Sequence, residues 1–166
     1  MWIVAKVKKK EFKIFKKDLI KNAFADIKFY CPKIEYSQYA NNKFKKLEKF
    51  LLGNYIFCYS PNFNNLFFLN KLRFIKGLEY FLNGNYQNQE EIQKFIKYCR
   101  KYENSKGYIT QSFFKTTIKN KAEFISGPFT NMMFEILKKQ KNKLQIIVGN
   151  IVTTISDNNN YLYRSV

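Results

Sequence analysis

The sequence predicts an α+β protein: an N-terminal α/β sandwich, in which flanking helices cover an antiparallel sheet, followed by a small C-terminal β-barrel. Two observations predict this. Over residues 1–103, strand-like and helical segments follow in the order strand–helix–strand–strand–helix–strand–helix. Over residues 119–166, the segments are short, strand-like and separated by turn or basic residues, which is typical of a small barrel. Residues 104–118 are expected to link the two domains.

The first elements follow from the spacing of apolar residues. Residues 2–7 are rich in β-branched and aromatic side chains and predict a strand. From residue 11 to residue 22, apolar residues recur on one helical face and lysines on the other, which predicts an amphipathic helix. Residues 28–36 predict another strand. Pro32 interrupts it and favours an edge position, because proline cannot donate a hydrogen bond to a neighbouring strand.

The rest of the first domain is expected to alternate in the same way. The segments are a projecting loop or hairpin over 38–46, a strand over 50–59, a helix capped by Asn64 or Asn65 and ending at Leu72, and a strand over 78–82 closed by the turn Asn83-Gly84. The clearest helix comes next. Asn88 is its expected cap, acidic residues occupy its first turn and basic residues its last, as the helix dipole favours.

The second domain is predicted from four short strand-like segments. They span residues 122–125, 132–137, 144–148 and 151–155. Residues 131–141 are good helix formers, so an alternative hypothesis is that this domain switches between a helical fold and a barrel. The β-branched residues of the last two segments favour a constitutive barrel instead.

The composition is strongly basic. The 166 residues include 30 Lys and Arg against 12 Asp and Glu, which gives a net charge of +18. Such a charge favours polyanionic partners, and nucleic acid is the usual one. Seven of the first 17 residues are lysine, so the charge is concentrated at the N-terminus. The alternative is that lysine replaces arginine throughout because of an AT-rich genome and is merely solvated, since only three basic residues are Arg.

The chemical inventory argues against an enzyme. The chain has no histidine, and its three cysteines are far apart without a CxxC spacing. Common zinc sites, histidine acid–base chemistry and His-containing triads are therefore excluded, and no metal or cofactor is expected. The cysteines lie in apolar segments and are expected in the core. No apolar run reaches the ~20 residues of a membrane span, and the N-terminus runs from apolar to basic, so we expect a cytoplasmic protein without a membrane partner.

Four blocks of the sequence resemble the NusG/RfaH family of transcription elongation factors. Trp2-Ile3-Val4 resembles the family's W-Y-V first strand, and the block from Phe50 to Phe57 resembles its P-L-F-P-N-Y-L-F block. The segment from Leu72 to Leu78 resembles its I-R-S-T-R-G-V segment. The block from Ile125 to Phe129 resembles the (I/V)-x-G-P-F opening of a KOW module, the small barrel that closes these chains. The blocks occur in the family's order over nearly the whole chain.

Three departures from the family pattern indicate a specialised paralogue. Gly53 stands where the family usually has proline, and Phe134 stands where the KOW core glycine is expected. Lys119-Asn120-Lys121 replaces an acidic, glycine-rich lead-in. The resemblance therefore implies a factor that suppresses pausing and termination at a restricted set of operons. For the KOW module it implies a ribosomal protein or a termination factor as partner.

In the family, the N-terminal domain grips the clamp helices of the largest RNA polymerase subunit through an apolar depression. Carried onto this sequence, the resemblance implies six polymerase-binding candidates: Trp2, Phe50, Leu51, Leu52, Tyr55 and Phe57. Aromatic anchors of this kind dominate recognition of a helix in a groove. Because side chains alternate along a strand, about half of the six are expected to face the protein's own core.

The resemblance also implies a face toward the non-template DNA strand. Its candidates are Lys8, Lys9, Lys10, Lys13, Arg73 and Lys76. Basic side chains near exposed aromatics suit a single-stranded nucleic acid and give salt-dependent affinity with little sequence preference. A solvated lysine face is the alternative for each residue.

Two other functions compete with the elongation factor. A KOW-containing protein that binds RNA or ribosomes would need neither Trp2 nor the block from Phe50 to Phe57. A small basic nuclease would need clustered carboxylates for metal. The adjacent pair Glu90-Glu91 is already explained by its place at a helix N-terminus.

Overall fold

The computed structural model describes residues 1–23, 26–40, 43–115, 120–156 and 161–166. The protein is mixed α+β, with antiparallel sheets and a few helices. Its chain forms two compact units. The first comprises residues 1–32 and 50–98, and the second comprises residues 33–49 and 99–166.

The first unit is a four-stranded sheet with helices. Its elements are β1 (Trp2–Val7), α1 (Phe12–Ala23), β2 (Lys28–Tyr30), β5 (Tyr55–Tyr59), α2 (Leu66–Lys71), β6 (Leu78–Phe81) and most of α3 (Gln89–Lys101). The strand order is β2-β5-β1-β6, and neighbouring strands run antiparallel. Short 3-10 turns at Pro61–Asn64 and Leu72–Phe74 flank α2.

The main core of this unit lies on one face of the sheet. Alternate residues of β1, namely Ile3, Ala5 and Val7, are fully buried because side chains alternate along a strand. Phe15 and Leu19 of α1, four residues apart on one helical face, pack into the same cluster. Burying each large apolar side chain of this kind stabilises the fold by roughly 1.5–3 kcal/mol.

The second unit contains a hairpin and a five-stranded sheet. Its elements are β3 (Lys33–Ala40), β4 (Lys43–Phe50), α4 (Gln111–Lys115), β7 (Lys121–Phe124), β8 (Met133–Gln140), β9 (Lys143–Val148), β10 (Ile151–Ser156) and β11 (Tyr163–Ser165). The sheet order is β10-β9-β8-β7-β11, so β10 and β11 lie at its two edges. The described pairings give an antiparallel sheet and do not include a pairing that closes it into a barrel.

The structure confirms several predicted elements. The strand over 2–7 is β1 and the amphipathic helix over 11–22 is α1. The described residues of the predicted loop or hairpin over 38–46 belong to β3 and β4, which pair in a two-stranded sheet. Asn65 caps α2, because its side-chain oxygen accepts a hydrogen bond from the backbone N–H of Phe68 at 3.2 Å. The helix over α3 has acidic residues in its first turn and basic residues in its last, as predicted.

Other predictions were wrong in detail. Residues 50–59 do not form one strand: Phe50 ends β4, residues 51–54 form a turn, and β5 starts at Tyr55. Gly53 lies in this turn with φ +60°, a conformation that glycine adopts without steric cost. The edge strand β11 was not predicted. The division into domains at 103/104 and 118/119 stays a prediction: the structure places α4 within the predicted linker, residues 104–118, and the boundary at 118/119 lies outside the described residues.

Candidate functional site

An apolar cavity of about 620 Å³ opens on the face of the first unit's sheet opposite α1. Its lining comes from β1, the turn before β5, β5 itself, the loop after β6 and the first half of α3. The residues are Val4, Leu52, Tyr55, Phe57, Leu82, Asn83, Gly84, Asn85, Asn88, Glu91, Ile92 and Phe95. We call this cavity the groove.

The strands supply one wall of the groove. Val4 of β1 lies opposite Phe57 of β5 in the strand register, and Lys6 lies opposite Tyr55. Val4 and Phe57 are buried, whereas Tyr55 is half-buried at the side of the groove toward solvent. The strand alternation that buries Ile3 in the main core therefore turns Val4 toward the groove.

Helix α3 supplies the facing wall. Ile92 and Phe95 are three residues apart and lie on one helical face. The rings of Phe95 and Phe57 have centroids 5.8 Å apart, so this contact forms the floor where helix and sheet meet. Glu91 adds a carboxylate to the lining. The groove is thus a mostly apolar hollow with a little polar rim.

Two side-chain amides hold the second wall against β1. Gln89 accepts a hydrogen bond from the backbone N–H of Trp2 at 2.9 Å and donates to the backbone C=O of Trp2 at 2.6 Å. Asn85 accepts from the N–H of Val4 at 3.1 Å, and the N–H of Leu82 donates to the C=O of Val4 at 2.9 Å. These bonds give partners to the backbone groups of Trp2 and Val4, which lie beyond the last residue of β1 that pairs with β6.

A polar cluster lies beside the Tyr55 end of the groove. The hydroxyls of Tyr55 and Tyr80 are 3.5 Å apart, and the ammonium of Lys6 is 3.1 Å from a carboxylate oxygen of Glu79. The hydrogen bond and charge of Glu79 raise the pKa of Lys6, which therefore stays protonated. The hydrogen bond to Tyr80 raises the pKa of Tyr55, which stays neutral. This end of the groove thus presents a neutral phenol beside a compensated ion pair.

The six polymerase-binding candidates divide into two sets of three. Leu52, Tyr55 and Phe57 line the groove together. Trp2 does not line it; its ring packs against Tyr59 with centroids 5.3 Å apart. Phe50 and Leu51 are half-buried and also lie outside the lining, and the Phe50 ring packs on Phe12 at 4.7 Å.

The six nucleic-acid candidates are all exposed and lie in two segments of the first unit. One segment is the turn from β1 to the first turn of α1, with Lys8, Lys9, Lys10 and Lys13. The other precedes Gly77 and carries Arg73 and Lys76. The backbone N–H of Lys8 donates to the C=O of Gly77 at 2.8 Å, so the two segments are joined directly. We call them together the basic surface.

The junction of the basic surface requires a glycine. Gly77 has φ +82°, and an added Cβ would lie 3.1 Å from the backbone oxygen of Glu11 and 3.1 Å from the backbone nitrogen and the Cβ of Phe15. Beside it, the N–H of Lys76 donates to a carboxylate oxygen of Asp18 on α1 at 2.9 Å. These contacts fix the second segment onto α1.

No family model matches this sequence, and no curated protein matches it. Among solved structures, the chain is similar to the crystal structure of the MjSpt4:Spt5 complex in conformation B, with 11% sequence identity and a TM-score of 0.34. The alignment covers 100% of this chain and 98% of that chain. A TM-score this low supports no conclusion about fold or function.

The described residues offer little for other chemistry. They contain no group of three or more His, Cys, Asp or Glu side chains that could hold a metal ion. Every helix among them is too short or too polar to cross a membrane. Cys58 and Cys99 are buried, and burial raises the pKa of the Cys58 thiol, which makes it a poor nucleophile.

Several lining residues were missed by the sequence analysis. Ile92 and Phe95 lie at helical spacing within a helix that the sequence predicts, but that spacing does not show what the apolar face covers. Val4 is two residues after the candidate Trp2 on the same strand, so strand alternation could have indicated it. Phe74, an exposed aromatic residue between Arg73 and Lys76, was also missed as a site residue, although it belongs to the same short block.

Proposed function

We propose that this chain is a transcription elongation factor of the NusG/RfaH type, which binds the clamp helices of RNA polymerase through the groove. One observation carries the proposal. Three of the six residues that the sequence resemblance assigned to polymerase binding, Leu52, Tyr55 and Phe57, line one open apolar cavity. By holding the clamp, the protein suppresses pausing and termination at a restricted set of operons.

The shape and chemistry of the groove support a helical partner. A sheet wall and a helix wall enclose about 620 Å³ of mostly apolar space. An amphipathic helix or helical hairpin can bury its apolar face in such a space, with aromatic residues as anchors. Tyr55 suits the role of anchor, because it is half-buried and its hydroxyl already has Tyr80 as a neighbour.

In this proposal, the basic surface faces the non-template DNA strand. The second unit's five-stranded sheet corresponds to the KOW module, and we propose that it forms the small barrel of that family. A ribosomal protein or a termination factor is the partner class proposed for it. The structural feature that supports the DNA contact is the direct backbone bond between the two basic segments, from Lys8 to Gly77.

The test is binding to purified RNA polymerase from the same cell, followed by a transcription assay on a template with a strong pause. We expect Tyr55→Ala to weaken binding about 30-fold, because loss of an aromatic anchor costs roughly 2 kcal/mol. Tyr59→Ala is the matched control. Tyr59 is a half-buried tyrosine of the same strand that packs on Trp2 and does not line the groove. This control should bind and suppress pausing like the unmodified protein.

Two outcomes would count against the proposal. Equal polymerase binding by the Tyr55→Ala and Tyr59→Ala variants would remove the groove from the interface. Absence of polymerase binding together with tight binding to ribosomes or RNA would favour the KOW-type RNA-binding protein, because that function does not need the groove.

A further inference from the structure

Phe74 is the most exposed of the large apolar side chains in the described structure, with 91% of its surface accessible. A phenylalanine ring exposed to this extent contributes little hydrophobic stabilisation to the fold, so a polar residue would serve the fold equally well at this position. Among the residues that the structure describes, no ring contact or cation contact of the Phe74 side chain is present. Both faces of the ring are therefore available to a ligand.

The exposure of Phe74 is imposed by the fold. It is the last residue of the 3-10 turn Leu72–Phe74. Leu72, two residues before it, and Ile75, directly after it, are buried. The N–H of Ile75 donates to the C=O of Leu72 at 3.3 Å, and the next N–H, of Lys76, is bound to Asp18. Two anchored neighbours hold the backbone, so the ring projects from a fixed point.

Basic residues flank this ring in the sequence. Arg73 comes directly before Phe74 and Lys76 follows it by two residues, and both are exposed. The backbone N–H of Lys8, which begins the run of lysines to Lys10, is bonded to the C=O of Gly77 directly after Lys76. Among the described residues, three carboxylates lie in this part of the fold. Asp18 accepts a hydrogen bond from the Lys76 N–H, Glu79 is paired with the ammonium of Lys6, and Glu11 is half-exposed. An aromatic ring within a cationic surface is the arrangement that binds unpaired bases by stacking and phosphates by charge.

A second exposed phenylalanine shows the contrast. Phe67 of α2 is 69% exposed, but the ammonium of Lys71 lies 4.5 Å from the centroid of its ring. One face of Phe67 is therefore taken by a cation–π contact within the protein. Phe67 is the natural comparison for Phe74 in any binding experiment.

We propose that Phe74 is a stacking platform for an unpaired base of a single-stranded nucleic acid, with Arg73 and Lys76 holding the adjacent phosphates. The inference rests on the proposed function in one respect, because that function supplies an unpaired DNA strand at this surface. Duplex DNA is disfavoured as the ligand, since its bases are stacked on one another and their faces are closed. Stacking tolerates every base, so the site gives affinity with weak sequence preference.

The experiment uses the full chain and a short fluorescent oligodeoxythymidine, and binding is followed by fluorescence anisotropy without polymerase. We expect Phe74→Ala to weaken binding about 5- to 160-fold, the range that alanine substitution at stacked bases produces. Phe74→Trp should bind at least as tightly, whereas Phe74→Leu should bind like Phe74→Ala because it is apolar without a π face. Phe67→Ala should retain the affinity of the unmodified protein.

Salt dependence separates stacking from charge. Phe74→Ala should leave the slope of log affinity against log salt concentration unchanged, because no phosphate contact is removed. Arg73→Gln should reduce the magnitude of that slope by about 0.7, the value for one phosphate contact on a single strand. A reduced slope in Phe74→Ala would show that the variant disturbs the cationic residues and would overturn the assignment of the ring.

Other results overturn the proposal directly. Unchanged affinity in Phe74→Ala, full retention in Phe74→Leu, or equal affinity for single-stranded and duplex DNA would each exclude stacking on this ring. Binding of anionic lipid vesicles that is lost in Phe74→Ala, without binding of the oligonucleotide, would assign the surface to a membrane. Polymerase binding through Tyr55 is measured separately, so failure here leaves the proposed function standing, and failure there leaves the stacking site standing.

Discussion

The side-chain amide of Gln89 makes the two hydrogen bonds with the backbone of Trp2 that a neighbouring strand would otherwise make. It accepts from the Trp2 N–H at 2.9 Å and donates to the Trp2 C=O at 2.6 Å. Strand β6 pairs with β1 only at Ala5, Lys6 and Val7, so the first residues of β1 would otherwise expose their edge. Gln89 is also the first residue of α3. One amide therefore completes the sheet and positions the helix wall of the groove.

Replacing Gln89 by leucine should destabilise the first unit by about 1–3 kcal/mol, because two partly buried backbone groups lose their partner. Urea unfolding at neutral pH measures this difference. Gln93→Leu, on the exposed side of the same helix, is the control and should change stability by less than about 0.5 kcal/mol. We also expect Gln89→Leu to weaken polymerase binding, since the groove wall loses its anchor. Equal unfolding curves for the two leucine variants would contradict the role assigned to Gln89.

A second prediction compares two glycines of the first unit that share a positive φ. In Gly53→Ala the new Cβ meets nothing within 4 Å, so only the left-handed backbone conformation opposes the change, at roughly 1–2 kcal/mol. In Gly77→Ala the Cβ also lies 3.1 Å from backbone atoms of Glu11 and Phe15, which cannot rotate away. This crowding should add about 1–3 kcal/mol. Urea unfolding of the two alanine variants tests the order, and a smaller loss in Gly77→Ala would refute it.

The sequence predicted best those elements that depend on local features, namely the spacing of apolar residues and the residues at helix ends. Helix α1 was predicted because its apolar residues recur at helical spacing, and helix α3 because acidic residues occupy its first turn and basic residues its last. Strand β1 was predicted because it is rich in β-branched residues. The break at residues 51–54 was missed, since Gly53 at φ +60° forms a turn within an otherwise strand-like block. Strand β11 has only three residues, and it depends on pairing with β7, which no local pattern reveals.

The candidate site was predictable only in part, for a similar reason. The block from Leu52 to Phe57 identified three residues of the sheet wall of the groove. The helix wall needs the contact between the rings of Phe57 and Phe95, which are far apart in sequence. Strand alternation also predicted that about half of the six candidates would not line the groove. Which ones do was decided by the turn before β5, which sets the direction of each side chain. Tertiary contact, rather than propensity, decided which residues meet in the groove.

Gln111 plays a similar part in the second unit, and it predicts a pH-dependent variant. Its amide donates to the C=O of Tyr163 at 3.0 Å and accepts from the N–H of Tyr163 at 2.9 Å, and the side chain is 1% exposed. In Gln111→Glu a protonated carboxyl can keep both bonds, whereas a carboxylate can only accept. Burial should therefore raise the pKa of the new carboxyl above its unfolded value near 4.3.

The sign of the effect follows from that direction. A carboxyl whose folded pKa is raised keeps its stability below the unfolded pKa and loses it as the pH rises through the folded pKa. Gln111→Glu should thus resemble the unmodified protein near pH 4 and become progressively less stable toward pH 7. Amide hydrogen exchange at Tyr163 and Phe124, measured across this range, reports the difference. A deficit that is constant with pH would show that the carboxyl does not titrate at this site.

The last prediction concerns a carboxylate with the opposite shift. Glu48 of β4 accepts hydrogen bonds from the hydroxyl of Tyr108 and, at 3.2 Å, from the ammonium of Lys33. The bond from Tyr108, followed by those from Lys33, lowers the pKa of Glu48 below its ordinary 4.5, and the same bond raises the pKa of Tyr108 above 10.0. The hydrogen bond between Tyr108 and Glu48 therefore contributes its full stabilisation between the two ordinary pKa values, from pH 4.5 to pH 10.0. It is lost as the pH falls through the folded pKa of Glu48 or rises through that of Tyr108.

Tyr108→Phe should bring the pKa of Glu48 back toward 4.5, because its first hydrogen-bond donor is removed. The carboxyl carbon of Glu48, followed by NMR through an acid titration, gives this value directly. Lys33→Met is the comparison: it removes the other donor and its charge, and it should shift the same pKa in the same direction. The double variant should move the pKa further than either single variant. An unchanged Glu48 titration in Tyr108→Phe would show that the hydroxyl does not bind the carboxylate in solution and that Lys33 is the partner that lowers the pKa of Glu48.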